Sequence, residues 1–395
     1  MDPTDKPRPR VPAPQETSGS LRLSRVTPRN SPASPATPAR TPPPPNDRFL
    51  GWDAGPDPTI AICEYDVTGD WELRGDLAEL SLGGSSQCTI SIPGRGLSAR
   101  HCLLERRARK LRLNDLASSY GVFFRGRRLE GFADLSPGDM FTARPMTFVC
   151  LNDEMRQHRP TVFEILGSGA VRTPDWVMVE SVTGSGPMLL TGKAGCDLDR
   201  LAHAIHAMST RRNRKAVEVA TVPPDGDAQV ALAEQAFQTS LILHLGQEEE
   251  APLDPDFVSK LFDARGGIRL IALAASPDIA RRALTDANVE LMQHIPVRAL
   301  AYRRGEIHQL LDLRFKERAF HRRADDVTPV NQEALKRYHW PGNFAELRQV
   351  ADAIIAYATL GSMRRAAVSL GVSRQKLTRH LERIGLATPL FGQDK

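Results

Sequence analysis

The sequence predicts a multidomain chain: a β-sandwich, then an α/β core, then an all-α helix-turn-helix. Three observations carry this. Between about Thr59 and Asn152, short β-prone runs are separated by turn residues. From about Thr161 to Ala358, apolar strands alternate with stretches of helical spacing, the pattern of a parallel sheet with crossover helices. From Gly361 to Ile384, two short helical patterns meet at Gly371, a residue that permits a sharp turn between helices.

Composition sets the outer bounds. At 395 residues the chain has room for several domains with ample core. No apolar run approaches the ~20 residues needed to cross a bilayer, and no charged-then-apolar leader opens the chain. The expectation is a cytoplasmic protein with no membrane partner. Five cysteines (Cys63, Cys88, Cys102, Cys150 and Cys196) show no CxxC pairing, so neither a zinc site, a disulfide framework nor a cofactor is expected.

Residues 1–50 read as a disordered arm. They hold thirteen of the 30 prolines and few large apolar residues, too little to offset the entropy of ordering. Five Ser/Thr-Pro steps, from Thr27-Pro28 to Thr41-Pro42, are candidate phosphate acceptors, although any Pro/Ser/Thr-rich linker contains them.

Residues 58–152 carry the sandwich. Its expected strands are Leu77–Leu82, Thr89–Ile92, Cys102–Glu105, Lys110–Leu113, Gly121–Phe124 and Met146–Leu151. Within it, Ser98-Ala99-Arg100-His101, then Asp115 through Gly121, then Leu135-Ser136-Pro137-Gly138-Asp139 resemble the forkhead-associated (FHA) family. The resemblance implies apical loops that bind phosphothreonine peptides, and hence a phosphorylated protein partner. The family's phosphate-clamping Gly-Arg aligns with Gly83-Gly84, its peptide-fixing Asn with Tyr120, and a later Asn with Arg125. Phosphate recognition depends on charge-assisted bidentate donors, and Arg95 or Arg100 from the neighbouring loop is the candidate substitute. The candidate phosphopeptide residues are Arg95, Ser98, Arg100 and His101, with His101 read first as a brace of its loop.

Residues 160–325 form the expected core and residues 326–358 a helical lid. Met188-Leu189-Leu190 leads through Gly192 into a helix from Asp199 to Met208; Leu241–Leu243 and Ile268–Leu273 are further buried strands. Phe257–Asp263 and Ile307–Phe320 have helical spacing. Then Trp340-Pro341-Gly342-Asn343-Phe344-Ala345-Glu346-Leu347-Arg348 opens an apolar helix through Val350, Ile354 and Ala358. This segment resembles the W-P-G-N-V-R-E-L-R signature of bacterial sigma-54-dependent enhancer-binding proteins, which join a AAA+ ATPase to a Fis-type helix-turn-helix. The resemblance implies a AAA+-like core, or, if its loops work, an ATP-dependent activator.

The loops argue against hydrolysis. A P-loop cradles phosphate on backbone amides and neutralises it with a lysine. Here the corresponding stretch is Gly192-Lys193-Ala194-Gly195-Cys196-Asp197-Leu198-Asp199, with Asp197 at the last glycine and Leu198 at the lysine. His244-Leu245 stand where the family has its magnesium-holding acids, Ala274-Ala275 where it has a Thr-Asn sensor, and Ala345 where it has the sensor arginine. No arginine finger lies in Ala287–Met292, and the sigma-contacting loop is absent around Pro223–Ala236. Each of these supplies separate electrostatic stabilisation, so a non-enzymatic pseudo-ATPase is expected.

Residues 359–390 are the expected Fis-type helix-turn-helix. Ala367, Leu370, Val372, Leu377, Leu381 and Ile384 give the packing side. Seven Lys/Arg against two acids between Gly361 and Lys395 account for all of the chain's net charge of +5. The candidate DNA contacts are Arg364 and Arg365 at the phosphates, and Ser373 (as N-cap), Arg374, Gln375, Lys376, Thr378 and Arg379 along the reading helix. The expected partner is double-stranded DNA, bound by a homodimer or higher oligomer because one such module binds weakly. The rival expectation is a phosphothreonine-binding signalling adaptor.

Overall fold

The structure is a computed structural model and describes residues 58–392 apart from 74, 108–109, 247–251 and 264–266. The arm expected over residues 1–50, its Ser/Thr-Pro steps and Glu248–Glu250 lie outside the described residues.

Eleven described strands build the sandwich: β1 Ala61–Glu64, β2 Trp71–Glu72, β3 Glu79–Gly83, β4 Ile90–Ser91, β5 Cys102–Arg107, β6 Lys110–Asp115, β7 Val122–Phe124, β8 Arg127–Arg128, β9 Phe132–Leu135, β10 Met140–Ala143 and β11 Met146–Leu151. One sheet runs β2-β1-β11-β10-β7-β8 and the other β4-β3-β5-β6-β9. Alternation sends Leu80, Leu82, Cys102, Leu104, Leu111 and Leu113 inward from the second sheet. They meet Ile62, Phe141, Phe148 and Cys150 of the first.

Strands β1 and β11 are apolar on both faces. Their outer residues Ala61, Cys63, Val149 and Leu151 belong to the core of the next layer. That layer begins with α1 Asp153–Leu166, capped by Asn152, whose side chain accepts from the Met155 amide at 2.8 Å. The following helix, α2 Pro174–Thr183, is tied to α1 by a buried ion pair in which Arg159 donates to both oxygens of Asp175 at 2.9 and 3.0 Å. Sandwich and core therefore share one continuous apolar body rather than a loose linker.

The core sheet contains β12 Met188–Thr191, β13 Val217–Val219, β14 Ser240–His244, β15 Arg269–Ala274 and β16 Gln293–Pro296. Its order is β13-β14-β15-β12-β16, every pairing parallel. The crossover helices are α3 Leu198–Met208, α4 Gly226–Gln235, α5 Pro255–Phe262, α6 Pro277–Leu284 and α7 Asp286–Glu290. Strands covered on both faces read as unbroken apolar runs, as in Leu270–Ala274.

A helical cluster completes the chain: α8 Ile307–Glu317, α9 Pro329–Arg337, α10 Asn343–Leu360, α11 Met363–Ser369 and α12 Arg374–Ile384. The sequence places α8 with the sheet, but its apolar face (Ile307, Leu310, Leu311 and Phe315) packs with Leu347, Val350 and Ile354 of α10. The same cluster takes in Leu377, Leu381 and Ile384, so lid and terminal helices are one hydrophobic unit. The last described residues fold back on α9, where Asn331 donates to the Ala387 carbonyl at 2.8 Å and accepts from its amide at 2.7 Å. Among the described residues no helix is long and apolar enough to cross a membrane.

Candidate functional site

Helices α11 and α12 meet at Gly371, whose φ of +67° is the left-handed conformation a glycine adopts at no cost. The Ser373 hydroxyl accepts from the Lys376 amide at 3.2 Å, capping α12. Ala366, Ala367, Leu377, Leu381 and Ile384 are buried against the helical cluster. Arg364, Arg365, Ser373, Arg374, Gln375, Lys376 and Arg379 are exposed, and Thr378 is half-buried. The geometry thus brings the predicted contacts to the outer surface of two short helices.

The charge placement runs against helix stability. A helix N-terminus is electropositive and favours acids in its first turn. Neither α11 nor α12 has an acid there; Arg364 and Arg365 stand in one first turn, Arg374 and Lys376 in the other. Cations placed against a local rule suit an anion that comes from outside the chain. Arg383 behaves differently. It turns inward to Glu346 of α10 at 2.7 Å, where Glu346 also accepts from the Tyr338 hydroxyl and the Gly342 amide.

In the sandwich, the loop before β5 and the loop after β6 are stitched together by Ser98 and His101. The Ser98 hydroxyl accepts from the Ser119 amide at 3.0 Å. His101 is fully buried; its Nδ1 accepts from the Ser98 amide at 3.1 Å and its Nε2 faces the Gly121 carbonyl at 3.4 Å. Burial pushes its pKa below the ordinary imidazole value. His101 therefore braces the two loops, and no part of it reaches the surface.

Arg95 and Arg100 are both exposed, but Arg95 is ion-paired to Glu64 at 2.5 Å. Gly83 and Gly84 allow β3 to lie directly on the Ser98-Ala99 turn: the Gly84 amide donates to the Ser98 carbonyl at 2.9 Å. A Cβ on Gly84 would sit 3.1 Å from the Leu97 carbonyl oxygen. Tyr120 is exposed, and Arg125 pairs with Asp139 at 3.1 Å.

The turn between β12 and α3 carries the stretch from Gly192 to Asp199. Asp197 holds a left-handed φ of +59°, the conformation for which a glycine is the easy choice. Its carboxylate, with a side chain only 7% exposed, is gripped by Arg348 (Nη2 to Oδ1, 2.7 Å; Nη1 to Oδ2) and by Arg200 at 2.9 Å. Asn343 donates to the Ala194 carbonyl at 2.8 Å, and Gly195 is so close to the Gly342 carbonyl that any Cβ would clash. Lys193 is exposed. Cys196 beside it is buried, its thiol pushed up to about 11 by burial. The chain's own groups fill this turn from the α10 side.

Residues 80–143 match the family model described as FHA domain. This segment is an FHA domain. No curated protein matches the chain. Among solved structures, EmbR of Mycobacterium tuberculosis in complex with a low-affinity phosphopeptide is 20% identical over 23% of this chain and 24% of that one, with a TM-score of 0.22. The FHA domain of the CT664 protein of Chlamydia trachomatis is 19% identical over 23% of this chain and 94% of that one, TM-score 0.21. NtrX of Brucella abortus in complex with ATP is 20% identical over 59% of this chain and 68% of that one, TM-score 0.35. The chain spans about a quarter of EmbR.

Sequence reasoning missed the partners that complete these sites. Arg348 at Asp197, Asn343 at Ala194 and Glu64 at Arg95 all come from distant stretches, whereas Arg200 reaches Asp197 from one turn away. The one local hint was Asp197 itself: an acid in a turn that folds inward needs a cation.

Proposed function

We propose that the chain is a DNA-binding transcription regulator. Its FHA domain takes an input from another protein, its α/β core transmits without hydrolysing nucleotide, and its terminal helices read duplex DNA. The observation that carries this reading is the outward row of cations on the first turns of α11 and α12, with an apolar back anchored in the helical cluster. Such a row suits phosphates and major-groove base edges. One module of this size binds weakly, so two or more copies act together. Gel retardation of genomic duplex fragments tests the reading. The full chain retards them, and the double variant Arg374→Ala/Arg379→Ala does not; equal binding by both sinks it.

The core is inert as an ATPase because the place for phosphate is taken. Asp197 puts a negative charge there, paired to Arg348, and the Gly342-Asn343 loop covers the turn. No lysine follows to neutralise a triphosphate.

A second reading rests on the FHA domain alone: a phosphothreonine-dependent adaptor. Calorimetric titration with phosphothreonine peptides, including ones centred on Thr27, Thr37 and Thr41, separates it from the first. Peptide binding with no DNA binding favours the adaptor.

A further inference from the structure

Four side chains from three elements converge at the carboxyl end of the core sheet. Asp199 and His203 lie one turn apart on α3, Glu218 is on β13, and His244 ends β14. The ligating atoms of Asp199, Glu218 and His244 all lie within 4.8 Å of one another. His244 Nε2 is 3.1 Å from Asp199 Oδ1 and 3.3 Å from Glu218 Oε1; His203 Nε2 is 3.1 Å from Glu218 Oε2. We propose that Asp199, Glu218 and His244, with His203 positioning Glu218, form a binding site for a divalent transition-metal ion of the zinc type, water completing its shell.

The spacing suits such an ion. Metal–nitrogen and metal–oxygen bonds of about 2.0–2.1 Å in a tetrahedron put neighbouring ligand atoms about 3.3 Å apart. The two His244 distances, 3.1 Å to Asp199 and 3.3 Å to Glu218, fall near that value, and His203 holds the other oxygen of Glu218. Hydrogen bonding explains the cluster less well. One imidazole nitrogen of His244 faces two carboxylates, and its single proton cannot serve both fully. A cation between them serves both at once. Charge points the same way: among the described residues, neither Asp199 nor Glu218 has a Lys or Arg ion-pair partner, which leaves two carboxylates for a divalent ion to neutralise. An imidazole with two carboxylates suits zinc and its neighbours, whereas calcium and magnesium prefer all-oxygen shells. All four side chains are open to solvent, so an ion has a path in. The sequence hid the site because cysteines were the signal sought, and these four residues belong to no single motif.

The test uses the tag-free full chain and Co²⁺ as an optical probe, displaced by Zn²⁺. One equivalent of Co²⁺ gives the visible absorption of a tetrahedral site, and one equivalent of Zn²⁺ removes it. His244→Ala and Asp199→Ala each weaken uptake by more than about 100-fold, beyond the loss seen when only a supporting residue is removed. His203→Ala, on the exposed face of α3, is the variant least able to disturb folding and weakens uptake by about 10–100-fold through the loss of its hold on Glu218. His321→Ala, at an exposed histidine outside the cluster, leaves it unchanged. Absence of the tetrahedral spectrum, or uptake by a folded His244→Ala chain equal to that of the unmodified chain, overturns the proposal.

Discussion

Arg348 holds Asp197 across 151 residues of sequence, one guanidinium on both oxygens of one carboxylate. The pair clasps the helical cluster to the turn before α3. Replacing Arg348 by Ala leaves Asp197, nearly buried, with Arg200 alone. The expected cost is about 1–3 kcal/mol, less than a fully buried pair because Arg348 is partly exposed. Chemical denaturation of Arg348→Ala, Asp197→Ala and the double variant checks it; the double variant loses less than the sum of the two single losses.

The same clasp decides an enzymatic test. Asp197→Gly with Leu198→Lys restores the phosphate-loop residues, yet yields no ATP turnover. The Gly342 carbonyl still presses on Gly195, and Asn343 still holds Ala194. Phosphate release above the unmodified chain would contradict this.

Contacts at phosphates and contacts at bases respond differently to salt. Arg364→Ala and Arg365→Ala each weaken DNA binding on every sequence and reduce the slope of log affinity against log salt by about 0.9. Gln375→Ala acts on sequence preference and leaves the slope alone. Ser373→Ala removes the cap of α12 and costs about 0.5–2 kcal/mol of stability. Fluorescence anisotropy over a salt series reads the first two, and chemical denaturation reads the third.

What was legible in the chain was local. Strands β3, β5 and β6 alternate cleanly, and the glycine, serine and apolar register of α11 and α12 fix that turn. Two-residue strands such as β2 and β8 carry no periodicity to read. Cys63 and Val149 look like sandwich core but face α1, since burial on both faces erases alternation. Sites assembled across elements, Arg348 with Asp197 or Asp199 with Glu218 and His244, depend on sheet order, which the residues themselves do not spell.

On the adaptor reading, phosphothreonine binding by the FHA domain depends on which arginine is free. Arg100 has no ion pair among the described residues, whereas Arg95 is spent on Glu64. Arg100→Ala therefore lowers peptide affinity about tenfold or more, and Glu64→Gln raises it by releasing Arg95. Gly84→Arg does not tighten binding, because its Cβ crowds the Leu97 carbonyl and shifts the loop that carries Ser98. Calorimetry on the three variants is the check.

Acid weakens the fold through buried imidazoles. His206 is buried between the Ser240 hydroxyl and the Arg214 carbonyl, each at 2.9 Å, and His101 accepts from the Ser98 amide. A second ring proton would set donor against donor at His101 Nδ1. Burial lowers both pKa values from the ordinary 6.5. The unfolded chain therefore takes up these protons first, so the stabilisation is complete above about pH 6.5 and is lost as pH falls from there toward the lowered folded values. Melting temperature is expected to drop between pH 7.5 and pH 5.5. His206→Gln starts less stable at pH 7.5 but loses less over the same interval, because one of the groups that must be charged is gone. An unchanged loss in that variant would remove His206 from the account.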